Sequence, residues 1–329
     1  MSCKISRRSF LKVSGCLMLG SAVSGLLCGA DDPAEGGAAV PTVGGLRVNY
    51  IRAFAKDYGN NFRQMEIHLN IENTNSSAAY FNQENFVPLL GNSRYGGERT
   101  FTGLNKWNGS RYVQDVQLKA GETQTISYSC KLQPEDLSAG LRAVDPAPWS
   151  LTLLYGGQRQ TFTGYLLPDR YSTEYTAGPV ESTVLPSVGG IVLSGFWSSD
   201  LLTQVPSYSL PIYFTMQNSN DTAAQLPFRG VAENGDVLDN FIIRMDGQPR
   251  NHYRLYACTH TSRFTPEEKG HLETLQPQEI CFAETGISLT KDEYSTLYTT
   301  GHTLEITFSY GDESVTVRGN TRTGIFEAI

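Results

Sequence analysis

Four residues late in the chain have the types that hold a metal: Cys258, His260, His271 and Cys281. Two thiolates and two imidazoles are the ligand set of a tetrahedral zinc. Ten residues separate His260 from His271 and nine separate His271 from Cys281, spacings that match no standard ligand pair. The same cysteines have two other readings. In an oxidising compartment Cys258 and Cys281 can close a disulfide worth about 3 kcal/mol for a loop of this length. Otherwise they pack as buried thiols. The disulfide is the expectation carried forward, zinc is the weaker alternative, and no cofactor is expected. Cys130, in a predicted core strand without a nearby partner, reads as a buried thiol.

No other grouping announces catalysis. A phosphate-cradling Gly-Lys-Ser/Thr loop, a Gly-x-Gly-x-x-Gly fingerprint and a His-Glu-x-x-His pair are all missing from the sequence. His68 sits in an alternating run with Glu66 and Asn70, which places it on the solvent face of a strand. As a general base it would need a nucleophile within hydrogen-bond reach, and the sequence singles out none. No catalytic residue is therefore assigned, and the chain reads as a non-enzyme.

Binding chemistry is concentrated in one stretch. Between Arg94 and Tyr112 the chain packs Arg94, Tyr95, Arg99, Trp107, Arg111 and Tyr112 among glycines. Tyr, Trp and Arg are the anchors that proteins favour at interfaces, and loops of a rigid scaffold are where such residues sit. A hairpin whose rings cap the core is the structural alternative.

What must position these residues is delivered by an N-terminal address. Ser6-Arg7-Arg8-Ser9-Phe10-Leu11-Lys12 precedes an uncharged, mildly apolar run from Val13 to Gly29 and then Asp31-Asp32. A basic start, a mild apolar segment and small residues form a cleavable export signal rather than a span, which needs about 20 strongly apolar residues. Arg7, Arg8, Phe10, Leu11 and Lys12 resemble the twin-arginine signal of bacteria. The resemblance implies passage through the twin-arginine translocase in a folded state, to the periplasm or beyond. Leu27 stands before Cys28 where a lipid-attachment site wants a small residue, so a freely soluble form is expected rather than an acylated one. Removal of Lys4, Arg7, Arg8 and Lys12 leaves 22 basic against 33 acidic residues, a balance of −11. That charge argues against a nucleic-acid partner, which asks for a basic patch.

The rest is organised by an internal repeat. Pro41-Thr42-Val43-Gly44-Gly45 returns as Pro186-Ser187-Val188-Gly189-Gly190, and Ile67 to Asn75 returns as Ile212 to Asn220. Leu118 to Glu122 then matches Leu275 to Glu279, and Trp149 to Gly156 matches Leu304 to Gly311. Each copy reads as short alternating strands between turn clusters, the pattern of a β-sandwich, with short helical turns at Pro134–Leu137 and Thr290–Tyr294. The expected organisation is a signal over 1–30, a flexible linker over 31–42, a first sandwich over 43–166, a linker over 167–184 and a second sandwich over 185–329.

The order of the strand ending in Glu72-Asn73-Thr74-Asn75, the Leu118-Lys119-Ala120-Gly121-Glu122 turn and the Tyr155-Gly156-Gly157 turn resembles telokin-like, immunoglobulin-type domains of exported bacterial proteins. The resemblance implies an all-β fold of two tandem immunoglobulin-like sandwiches and carries no activity with it. The functional expectation is an exported binding protein whose partner is an envelope protein or a surface ligand, with no stable membrane span after processing. The alternative is an accessory, metal- or redox-associated role using the Cys258/His260/His271/Cys281 loop.

Overall fold

The computed structural model describes residues 41–57, 63–90, 93–94, 99–103, 116–132, 147–167, 170–198, 202–204, 207–226, 241–252, 256–258, 274–297 and 300–329. These residues are almost entirely β, in antiparallel sheets. In the first half the strands are β1 (Leu46–Asp57), β2 (Arg63–Asn73), β3 (Ala79–Phe81), β4 (Phe86–Leu90), β5 (Ser93–Arg94), β6 (Arg99–Gly103), β7 (Val116–Leu118), β8 (Thr123–Leu132), β9 (Ala147–Tyr155), β10 (Gln158–Leu166) and β11 (Tyr175–Ser182). One sheet runs β1-β2-β8-β6, another β11-β10-β9-β4-β5, and β3 pairs with β7. Inward residues of both larger sheets share one core, which includes Ile67, Leu69, Phe86, Tyr128, Leu151 and Phe162.

The second half repeats this plan with one short strand added, Leu202–Gln204, which pairs with the start of Ser207–Asn218. It comprises β12 (Ile191–Ser198), β13 (Leu202–Gln204), β14 (Ser207–Asn218), β15 (Ala224–Gln225), β16 (Phe241–Met245), β17 (Gln248–Arg250), β18 (Tyr256–Cys258), β19 (Thr274–Leu275), β20 (Ile280–Leu289), the helix α1 (Lys291–Thr296), β21 (Thr303–Tyr310), β22 (Glu313–Asn320) and β23 (Phe326–Ala328). Its sheets run β12-β14-β20-β18 and β17-β16-β21-β22-β23, the same orders as in the first half, around a core of its own. The helix begins at Thr290, whose hydroxyl accepts from the Glu293 N–H while the Glu293 carboxylate accepts from the Thr290 N–H, a capping box.

The repeated sequence blocks are the corners of this plan. Asn73 is fully buried and its amide donates to the carbonyls of Ser77 and Leu118, while its oxygen accepts from the Asn75 N–H. Asn218 does the same with Thr222, Leu275 and Asn220. Asn75 and Asn220 donate in turn to Gly44 and Gly189, the turn glycines of the two Gly-Gly pairs. Those glycines adopt positive φ (56° and 82° in the first copy, 54° and 78° in the second), which is why the motif tolerates no side chain.

One stretch departs from the sequence reading. The region expected to be a linker, 167–184, contains β11, which pairs with β10 along the sheet edge. Strand alternation is faint there because β11 is largely exposed and its pairing is interrupted by a bulge near Gly178 and Pro179. The connection between the halves is correspondingly short. Thr183 N–H bonds to Gly157 O, and Val184 already bridges to Ser194 in the second half. Among the described residues no helix is long and apolar enough to cross a membrane.

Candidate functional site

The connection from β10 to β11 does not stay on its own sheet. It crosses to β1, where Ala53 and Ser172 exchange two backbone hydrogen bonds (2.9 and 2.8 Å) and Ala55 N–H bonds to Leu167 O (3.2 Å). The crossover thus spans the open side between the two sheets at one end of the first half. The register brings Asp57, Arg63 and Leu132 together at that end, and on the facing sheet Leu90, Trp149, Ala147 and Leu166.

Two adjoining grooves flank the crossover and share Tyr165 and Glu174. The larger, of about 670 Å³, lies along Leu89, Ser150, Thr163, Tyr165, Glu174 and Tyr175. The smaller, of about 430 Å³, runs past Tyr165, Leu167, Arg170, Tyr171 and Glu174. Tyr165 is 59% exposed and Tyr171 40%, the most exposed aromatic rings among the described residues. Trp149 is buried across Gly164: a Cβ there would stand 2.9 Å from the indole and 2.8 Å from Glu174 O, so glycine is what lets the ring floor the groove. Burial pushes the Tyr175 hydroxyl above its ordinary value, so it stays a neutral donor.

Behind the crossover stands a polar cluster. On β1 and β2, Arg52 and His68 are directly opposite each other. Arg52 Nη2 lies 3.1 Å from His68 Nδ1, and His68 Nε2 lies 2.5 Å from Glu66 Oε1. Tyr171 reaches over this row: its hydroxyl donates to Glu66 Oε1 (3.2 Å), the Arg52 guanidinium lies 4.5 Å from its ring centre, and Phe54 packs edge-on against it at 4.2 Å. His68 therefore lies on the outer face, as its alternation implied, but it is held on both ring nitrogens.

Most residues singled out from sequence are not among those the structure describes. Arg7, Arg8, Phe10, Leu11 and Lys12 lie outside the described residues, as do Tyr95, Trp107, Arg111 and Tyr112, and also His260, His271 and Pro134–Leu137. Arg94 and Arg99 are described as strand positions: Arg94 pairs with Leu89, a groove residue, so the arginine- and aromatic-rich stretch begins beside the larger groove. Cys281 is buried in β20, while β18 sets Cys258 opposite Phe282 rather than opposite Cys281. Among the described residues no three His, Cys, Asp or Glu side chains converge on a common point.

A second histidine has a serine-protease-like look. His302 lies between Asp246 (Nδ1 to Oδ2, 2.7 Å) and Thr296 (Nε2 to Oγ1, 2.9 Å). The Thr296 hydroxyl, however, is within bonding distance of the Asp292 and Glu293 carbonyls one turn back, so its proton is engaged by the backbone. The trio fastens α1 to the β16–β17 turn.

Sequence reasoning missed Tyr165, Tyr171 and Glu174 because they fall in the stretch read as a linker or at its border. The available signal was composition: Tyr165, Tyr171 and Tyr175 fall within eleven residues, interleaved with Arg170 and Glu174. No protein-family model matches the chain, and a search of curated proteins finds no similar sequence.

Proposed function

We propose that the chain is an exported, non-enzymatic binding protein of the bacterial cell envelope, built as two telokin-like, immunoglobulin-like sandwich domains. Its route is the twin-arginine translocase and its destination the periplasm or the exterior, where it meets an envelope protein or a surface ligand. The observation that carries this reading is the pair of grooves beside the connection from β10 to β11. Two exposed tyrosines, a carboxylate and an arginine line a concave surface fixed to two sheets at once. Rigid support beneath adaptable, aromatic contact residues is the ordinary anatomy of a binding surface.

Two measurements test it. Replacing Arg7 and Arg8 by lysine should hold the protein in the cytoplasm; export of the variant at the parental level would remove the twin-arginine route. Tyr165→Ala together with Tyr171→Ala should leave the far-ultraviolet circular dichroism unchanged and abolish recovery of partners from the organism's own envelope fraction. Equal recovery by parent and variant would move the binding surface elsewhere.

A further inference from the structure

We infer that the Arg52–His68–Glu66–Tyr171 cluster is an acid-sensitive latch on the wall of the smaller groove, opened when His68 takes up a proton. The inference rests on the binding-surface reading only for its purpose, since the latch itself is a property of the unliganded protein.

The geometry assigns the tautomer. A guanidinium carries only donors, so the 3.1 Å contact from Arg52 Nη2 requires His68 Nδ1 to be the acceptor. The ring proton must then be on Nε2, where it is donated to Glu66 Oε1, the same oxygen that takes the Tyr171 hydroxyl. His68 is thus neutral while Arg52 is docked. Protonation places an N–H on Nδ1, facing another donor of the same charge, and the contact turns from attractive to repulsive.

One of the two side chains must leave, and the surroundings decide which. His68 is retained, because Glu66 on Nε2 binds the imidazolium more strongly than the neutral ring. Arg52 has no comparable hold: its Nε is buried without a hydrogen-bond partner, and its remaining contact is the face of Tyr171. Among the described residues the charged and titratable groups around His68 are Arg52 from β1, Glu66 from β2 and Tyr171 from the crossover, while β8 presents the uncharged Ser127 opposite it. Arg52 therefore swings out. Tyr171, a wall of the groove, loses the cation stacked on its ring, and an additional positive charge appears at the groove's edge.

The test needs no ligand, so it can fail without touching the binding reading, and loss of that reading leaves it standing. The full chain is labelled with nitrogen-15 at its histidines, and the His68 signal is identified by its loss in His68→Gln. At pH 7.5 the ring correlations should show the proton on Nε2. The Arg52 side-chain protons should carry an upfield ring-current shift from Tyr171, which disappears in Tyr171→Leu. On acidification that shift should be lost with the same midpoint as the His68 titration. In His68→Gln, where the amide oxygen still accepts from Arg52 but cannot be protonated, the shift should persist to low pH. A proton on Nδ1 at pH 7.5, an Arg52 shift that survives the His68 titration, or an acid-induced loss in His68→Gln would each overturn the latch.

Discussion

Asn73 and Asn218 show how much one side chain fixes in this molecule. Each is fully buried; Asn73 serves three carbonyls and one N–H at a strand end, and Asn218 two carbonyls and one N–H. Removing a buried partner leaves those groups desolvated, at about 1–3 kcal/mol per group. Asn73→Ala should therefore lower stability by about 3 kcal/mol in urea denaturation, and a loss under 1 kcal/mol would mean the corner relaxes around water. A neighbouring residue points the other way. Gly121 begins the β8 turn at φ 72°, and in the second copy the same place is taken by Gln278 at φ 62°. A non-glycine residue in that region carries about 1–2 kcal/mol of steric strain, offset in part by the lower entropy of its unfolded chain. Gln278→Gly should raise stability by about 1 kcal/mol, visible as a higher urea midpoint at unchanged slope; a lower midpoint would show that the side chain contributes more than the strain costs. The Asn clusters were legible in the sequence as turns. Their role as buried hydrogen-bond hubs was not, because it depends on residues 45 and 57 positions away.

At the scale of elements, legibility followed burial. β2, with one face in a core, alternates clearly and was read correctly, as was the end of β14 from Phe214 to Asn218. The edge strand β11 has little to bury, so its residues carry no period, and a strand was taken for a linker. The contact surface was hidden for the same reason, since Tyr171 and Glu174 owe their position to the crossover that leads to β11, beside Tyr165 at the end of β10. Around α1 the elements are joined by charge. Asp246 opens a two-residue Asp-Gly hairpin turn with φ of 51° and 77°, the twist that joins β16 to β17. Burial pushes the Asp246 carboxyl up, but hydrogen bonds from His302 and the Thr303 N–H, with the nearby charges of His302 and Arg250, outweigh it and hold it below its usual range. Glu293 behaves alike: burial is outweighed by the Thr290 N–H, by Arg250 and by the Thr290 hydroxyl. A carboxylate depressed in the folded state adds stability that is complete above its unfolded value, near 4, and is lost as pH falls through the lower folded value. Stability should thus be flat from about pH 7 to 5 as far as this pair is concerned, and decline below about pH 4. Asp246→Asn keeps a residue that tolerates positive φ and should make that decline shallower in urea midpoints taken across the acid range. An unchanged slope would assign the acid sensitivity to other groups.

The two halves meet through an apolar face of the second. Trp197, Tyr213 and Phe282, on the outer side of the β12-β14-β20-β18 sheet, form a third apolar cluster with Val87 and Leu154 of the first half, all of them buried. The Trp197 indole N–H donates to Glu84 O at 2.5 Å, and Arg159 of the first half pairs with Glu327 of the second. Truncating such a ring costs about 3–5 kcal/mol. Trp197→Ala should split a single calorimetric transition into two, and one transition at a merely lower temperature would show that the halves stay coupled without it. The matching positions in the first half are polar. Register places Arg52 and His68 where the second half has Trp197 and Tyr213, and Thr125 where it has Phe282. Tyr171 covers Arg52 much as Ile325 lies against Trp197. At the far end, Ile242 and Ser309 occupy the places of Val87 and Leu154. A head-to-tail contact that recurred between these two corresponding faces would build open filaments, and the polar Arg52, His68, Thr125 and Ser309 weigh against such self-association. Restoring both faces should reverse this. A chain carrying Arg52→Trp, His68→Tyr, Thr125→Phe and Ser309→Leu, with the parental circular dichroism spectrum, should sediment as species whose mass grows with concentration. Should that chain keep the parental mass at every concentration, these four polar residues would not be what opposes self-association through the two faces.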